Sequence, residues 1–164
     1  VRPDRDEWHL DGADWLARMG DCTRRKVGAL IVVDKRFVGL GYNGTRPGEK
    51  GCLEGACPRG RHWKLVERGL NSKYKIGPVC ACGRDWPCPD AVPPGSSYDT
   101  GRGACIASHA EQTALADAQR RGAGLMTGGT MYVSCEPCEG CIRQVRNTTE
   151  INTIIWPDGA VGLP

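Results

Sequence analysis

Two short motifs, His109-Ala110-Glu111 and Cys138-Glu139-Gly140-Cys141, stand about thirty residues apart, each at the head of a stretch that patterns as a helix. What surrounds them narrows the fold more than any other part of the chain. "HAEQTALADAQRRG" puts Ala110, Ala114, Leu115 and Ala118 on one helical face and stops at Gly122. "GGTMYVSC" reads as a strand, and "EPCEGCIRQVRN" as a second helix opened by Pro137 at its first turn. "INTIIW" is a last strand before a Pro-Asp-Gly turn. Strand, helix, strand in that order predicts a parallel pair with the helix packed back over it. Two helices on such a pair start at the same sheet edge, so the two motifs are expected to meet.

The first part of the chain supplies more of the same architecture. "DRDEWHLDGADWLARMG" spaces Trp8, Trp15, Leu16 and Met19 near a helical stripe, which predicts a first helix ending at Gly20 with those residues in the core. "VGALIVV" and "FVGLGY" flank Asp34-Lys35-Arg36 and predict a hairpin. From about residue 44 to 104 the character changes to Gly, Pro and Cys, with "HWKLVERGL" as one short helix candidate. So long an irregular stretch inside a compact domain needs a staple. At 164 residues the chain fits one domain, 1–164, carrying this stretch as an insertion.

Ten cysteines offer such staples. No signal-peptide pattern opens the chain and no apolar run reaches membrane-spanning length, so a cytosolic protein and metal-bound thiols are the expectation, rather than disulfides. A net charge of +3 does not announce a nucleic-acid binder, but suits a small anionic ligand.

The motifs carry the chemistry. Cys138 and Cys141, three apart on a first helical turn, share a face and can reach one ion. Helix N-termini favour thiolates, and His109 holds the equivalent place on the other helix. One imidazole and two thiolates leave the fourth corner of a zinc tetrahedron to water, as catalytic sites do. Glu111, two residues past His109, falls near the ion without binding it and can move protons for hydrolytic deamination. Plainer readings exist for each part: Ser108-x-x-Glu111 fits a capping box, and a lone C-x-x-C serves redox centres and zinc ribbons. The combination H-x-E…P-C-x-x-C is the signature of zinc deaminases, a known match rather than a new motif.

With "CTRRKVGALIV", "GYNGT", "GCLEGAC", "CIASHAEQTAL" and "PCEGC" in that order, the chain resembles the cytidine and deoxycytidylate deaminase superfamily, most closely its deoxycytidylate branch, over most of residues 6–157. The resemblance implies a three-layer α/β/α fold around a mixed sheet, with a Cys-rich insertion. It also implies hydrolysis of dCMP, or a 5-modified relative, to the uracil product and ammonia, by a homo-oligomer open to regulation by a deoxynucleoside triphosphate. Carried over by position, His109, Cys138 and Cys141 hold zinc, Glu111 shuttles protons, and Asn43 meets the sugar. Ala110 lines the substrate site, and Arg24, Arg25 or Lys26 lies near a phosphate. Cys22, Cys52, Cys57 and Cys105 stand where relatives carry a second, structural metal. Cys80, Cys82 and Cys88, with His62, could serve that site or a separate one, while Cys135 reads as a small strand residue.

The chain departs from the family in carrying Thr113 where Asn is common, in its longer insertion, and in stopping short of the usual last strand and helix. Asn43 alone could be a left-handed turn residue, and the three cations a solvated turn. Competing functions are deamination of another free base or nucleoside, deamination of a base within single-stranded nucleic acid, and a zinc-stabilised interaction module. The second needs aromatic and basic platforms, and Trp8 and Trp15 fit a core stripe better.

Overall fold

The computed structural model describes residues 1–62, 64–65, 79–93, 96–98, 100–101 and 103–164. They gather into two compact units, Val1–Gly44 with Ser108–Pro164, and Thr45–Ala107.

The first unit is a five-stranded mixed sheet with helices on both faces. In chain order it comprises α1 (Arg5–Ala17), β1 (Gly28–Val33), β2 (Arg36–Tyr42), α3 (Ala110–Arg120), β5 (Thr130–Val133), α4 (Glu139–Thr148), β6 (Thr153–Trp156) and β7 (Gly159–Gly162). The second unit contributes α2 (Pro58–Arg61), β3 (Lys64–Leu65) and β4 (Val79–Cys80). The sheet order is β2-β1-β5-β6-β7. Only β5 and β6 run parallel, joined over α4 as the strand-helix-strand order predicts.

Alternation along the strands makes the layers. Ala29, Ile31, Met131 and Val133 point to one face and pack with Ala110, Ala114, Leu115 and Ala118 of α3 and Val145 of α4. Leu30, Val32 and Tyr132 point to the other and pack with Ala13 and Leu16 of α1. This is the expected α/β/α sandwich. The β1–β2 turn places Asp34 at φ 47° and Lys35 at φ 64°, the two left-handed residues of a tight hairpin whose twist suits the strands. Gly41 of β2 lies so close to α3 that an added Cβ would overlap the Ala110 carbonyl oxygen and the Ala114 amide nitrogen. Small residues on both sides therefore seat the helix carrying His109 and Glu111 directly on the sheet.

Four local readings change. In α1 the inward residues are His9, Ala13, Leu16 and Ala17, while Trp8, Trp15 and, past the helix end, Met19 are exposed at 51, 65 and 63 %. The reason is β1: a Cβ at Gly28 would strike the Ala13 carbonyl oxygen, so α1 approaches too closely for a tryptophan between them. In α4 the N-cap is Cys138, and Pro137 precedes it outside the helix. Within "HWKLVERGL", Lys64 and Leu65 form a strand paired with Val79 and Cys80, and residues 63 and 66–70 lie outside the described residues. After Trp156, β7 adds an antiparallel edge strand across a two-residue turn.

Candidate metal centre and active site

His109 and Cys138 occupy equivalent positions. Each is the N-cap of its helix, in extended backbone with ψ of 155° and 156°. Cys141 lies one turn into α4, and its N–H donates to the Cys138 sulfur at 3.4 Å. The sulfurs of Cys138 and Cys141 sit 3.6 and 3.3 Å from His109 Nδ1. Zinc–sulfur and zinc–nitrogen bonds of about 2.3 and 2.0 Å make a tetrahedral S–N edge of about 3.6 Å, so the donor set fits that ion. Cys141 is buried, His109 half-buried and Cys138 exposed, which leaves the site open on one side.

Glu111 is only 4 % exposed and lies against the Cys141 sulfur. Burial pushes the Cys141 thiol well up, and the neighbouring Glu111 carboxylate and Cys138 sulfur push the same way. A pocket so averse to another negative charge is one that a divalent cation stabilises. The capping-box reading of Glu111 is one residue out. Gln112 takes that role, its Oε1 accepting the His109 N–H at 2.9 Å, while its amide donates to Gln144 of α4 at 3.3 Å. Thr113, the departure from the family pattern, donates its hydroxyl to the His109 carbonyl at 2.9 Å. Glu111 is thus left out of the cap and turned towards the donor set.

The other expected site residues are distributed as follows. Ala110 is fully buried beneath the α3 N-terminus. Asn43 is not left-handed; its Oδ1 accepts the Val27 N–H and its Nδ2 donates to the Arg25 carbonyl, both at 2.9 Å, so it holds the basic loop in shape. Each of its amide atoms can still make one further hydrogen bond. Arg25 reaches the Cys135 sulfur, three residues before Cys138, whereas Lys26 turns its ammonium to the Arg18 carbonyl at 3.3 Å. Arg24 is exposed. Cys135 lies beyond the end of β5 rather than within it.

Among the described residues a second donor group is gathered, His62, Cys80, Cys82 and Cys88. It is a different group from the expected set of Cys22, Cys52, Cys57 and Cys105. Of that set Cys22 belongs to the first unit and the others to the second, where the side chains of Cys57 and Cys105 share a hydrogen bond. Sequence reasoning named His62, Cys80, Cys82 and Cys88 only as alternatives, although C-x-C followed by Gly was the available signal.

The family model describing the cytidine and deoxycytidylate deaminase zinc-binding region matches residues 3–156. Similar curated proteins include a deoxycytidylate deaminase of Mycobacterium phage D29, 35 % identical over 95 % of this chain and 96 % of that one. Another, from Schizosaccharomyces pombe, is 29 % identical over 85 % of this chain and 33 % of its own length. Among solved structures, the dCMP deaminase of cyanophage S-TIM5, in complex with dCMP and dUMP, shares the fold. Its TM-score is 0.58 at 19 % identity, over 95 % of this chain and 82 % of that one.

Proposed function

The chain belongs to the cytidine and deoxycytidylate deaminase family, and from that premise we propose that it hydrolyses dCMP, or a 5-modified dCMP, to the corresponding uracil nucleotide and ammonia. The observation that carries this reading is the convergence of His109, Cys138 and Cys141 with a buried Glu111 that no helix cap engages. Those three side chains would hold the zinc ion. When bound, it supplies Lewis acidity that makes water an effective nucleophile near neutral pH. Glu111 takes one proton from the attacking water and passes it to the ring nitrogen, then takes the second from the same oxygen and carries it to the departing amine. The water oxygen becomes the new ring carbonyl, the exocyclic C–N bond breaks, and ammonia leaves.

The rest of the substrate is read from the neighbourhood of the basic loop. Asn43 offers its spare amide capacity to the sugar, Ala110 lines the floor, and Arg25, with Arg24 and Lys26, offers charge to the phosphate. The same cations suit a regulatory deoxynucleoside triphosphate, and the outward Trp8, Trp15 and Met19 supply apolar surface for a homo-oligomer. No helix among the described residues is long and apolar enough to cross a membrane, and cytoplasmic nucleotide metabolism is the setting this reading entails. Trp8 and Trp15 are exposed, yet α1 packs on the sheet face opposite α3 and α4, so they do not form a stacking platform at the donor set. Deamination within a nucleic acid strand gains nothing from them.

A panel of pyrimidine nucleotides, nucleosides, free bases and single-stranded oligonucleotides, scored for ammonia release with zinc-loaded protein, tests the proposal. Turnover confined to deoxycytidine monophosphates supports it. Turnover of nucleosides or single strands alone, or of nothing, overturns it.

A further inference from the structure

We propose that His62, Cys80, Cys82 and Cys88 form a closed, structural zinc site that holds the Thr45–Ala107 unit together, independent of the centre at His109. The donor atoms all lie within 4.8 Å of one another. His62 Nδ1 is 4.0 Å from the Cys80 sulfur and 3.6 Å from that of Cys88, and the Cys82 and Cys88 sulfurs are 3.9 Å apart. A zinc tetrahedron with three sulfur arms and one nitrogen arm has edges of about 3.6–3.8 Å, so these separations need only a slight contraction around the ion. Three thiolates and an imidazole are its preferred borderline-soft donors. All four corners are filled by protein, which marks a structural site rather than a catalytic one.

The backbone is already shaped for it. Cys80-Ala81-Cys82-Gly83 is a tight turn closed by the Gly83 N–H on the Cys80 carbonyl at 2.8 Å, with Gly83 at φ +86°. The Cys82 N–H points at the Cys80 sulfur and the Arg84 N–H at the Cys82 sulfur, donors that stabilise metal-bound thiolates. The β3–β4 ribbon pairs Lys64 with Cys80, which brings His62 alongside this turn from a distant part of the sequence.

A second observation is independent of the geometry. Among the described residues of this unit, the buried apolar side chains are four cysteines, Cys52, Cys57, Cys80 and Cys88; the aliphatic core residues all belong to the other unit. Arg59 is buried too, bonded to the Gly103, Ser96 and Ser97 carbonyls and lying over the Tyr98 ring at 4.2 Å. Where cysteines, rather than aliphatic side chains, are what the described residues bury, a metal or disulfide staple is the expected support, and these cysteines form no disulfide.

The test uses the full chain purified under reducing conditions with zinc supplied. Elemental analysis should show the Cys82→Ser/Cys88→Ser variant losing one zinc per chain relative to wild type. Because that variant could fail to fold, the wild-type protein is also alkylated with and without chelator and mapped by mass spectrometry. Cys80, Cys82 and Cys88 should be protected together, and chelation should raise labelling of the partly exposed Cys82 at least tenfold. Three results would each overturn the proposal: unchanged zinc in a folded double variant, rapid labelling of Cys82 before chelation, or a Cys82–Cys88 disulfide in the isolated protein. The centre at His109 keeps its own zinc in every supporting case, so loss of deaminase turnover alone would not imitate the result.

Discussion

Replacing Glu111 with Gln removes one titratable proton and almost nothing else. The two side chains match in volume, and the position is 4 % exposed, so a shape change there would be felt at once. A positioned acid–base group contributes about 10²–10⁴-fold to a rate. The upper part of that range applies under the proposed mechanism, in which the same carboxylate serves both proton transfers and its burial keeps bulk water from substituting. The expected fall in kcat is therefore about 10³-fold or more, equivalent to about 4 kcal/mol of barrier. Stability should barely move, since the cap on His109 is made by Gln112. Loss of a helix cap would cost about 1 kcal/mol. The assay is ammonia release at saturating dCMP, with zinc content and thermal midpoint measured on the same preparation. A zinc-replete Glu111→Gln protein turning over within tenfold of wild type would refute the reasoning. So would a variant that lost its zinc and its stability together, because Glu111 would then be a structural residue.

Two further expectations concern stability. Gly41→Ala forces a methyl group into the α3 backbone at Ala110 and Ala114, and overpacking of that kind costs about 1–3 kcal/mol, visible as a lowered urea midpoint; an unchanged midpoint would show that α3 is not seated on β2 as described. His9 is buried among Trp8, Phe37 and Tyr132, its Nδ1 has no hydrogen-bond partner among the described residues, and burial lowers its pKa, with Asp6 opposing and Arg5 assisting. The unfolded chain therefore takes up the proton first, so this contribution is complete above the ordinary histidine pKa of about 6.5 and is lost as pH falls below it. Chemical denaturation of zinc-loaded protein from neutral to mildly acidic pH should show wild type losing more stability than His9→Phe. Parallel profiles would rule the effect out.

Much of the architecture was legible because its causes are local. A left-handed turn at Asp34-Lys35 between two apolar runs, and small residues repeating along α3, need only neighbours in sequence to declare a hairpin and a sheet-packed helix. The α1 face was misread because Trp8 and Trp15 have the right spacing and the wrong size. What excludes them is Gly28, a residue on another element, and helical periodicity carries no information about how near that element comes. The edge strand at Gly159–Gly162 was equally silent, since Gly-Ala-Val-Gly has little intrinsic preference for a strand and pairs only because Trp156 presents an open sheet edge.

The sequence by itself determined the candidate donors and the candidate proton carrier, for thiolate, imidazole and carboxylate chemistry resides in residue types and short spacings. Only the tertiary structure decided which donors come together and which acid is left out of the helix cap. His109 meets Cys138 and Cys141 because parallel strands bring two helix starts to one edge, and His62 meets Cys80, Cys82 and Cys88 because Lys64–Leu65 pairs with Val79–Cys80. Gln112, by taking the cap, leaves Glu111 to the pocket. Proximity between residues far apart along a chain is a property of the packed fold, and no one-dimensional pattern contains it.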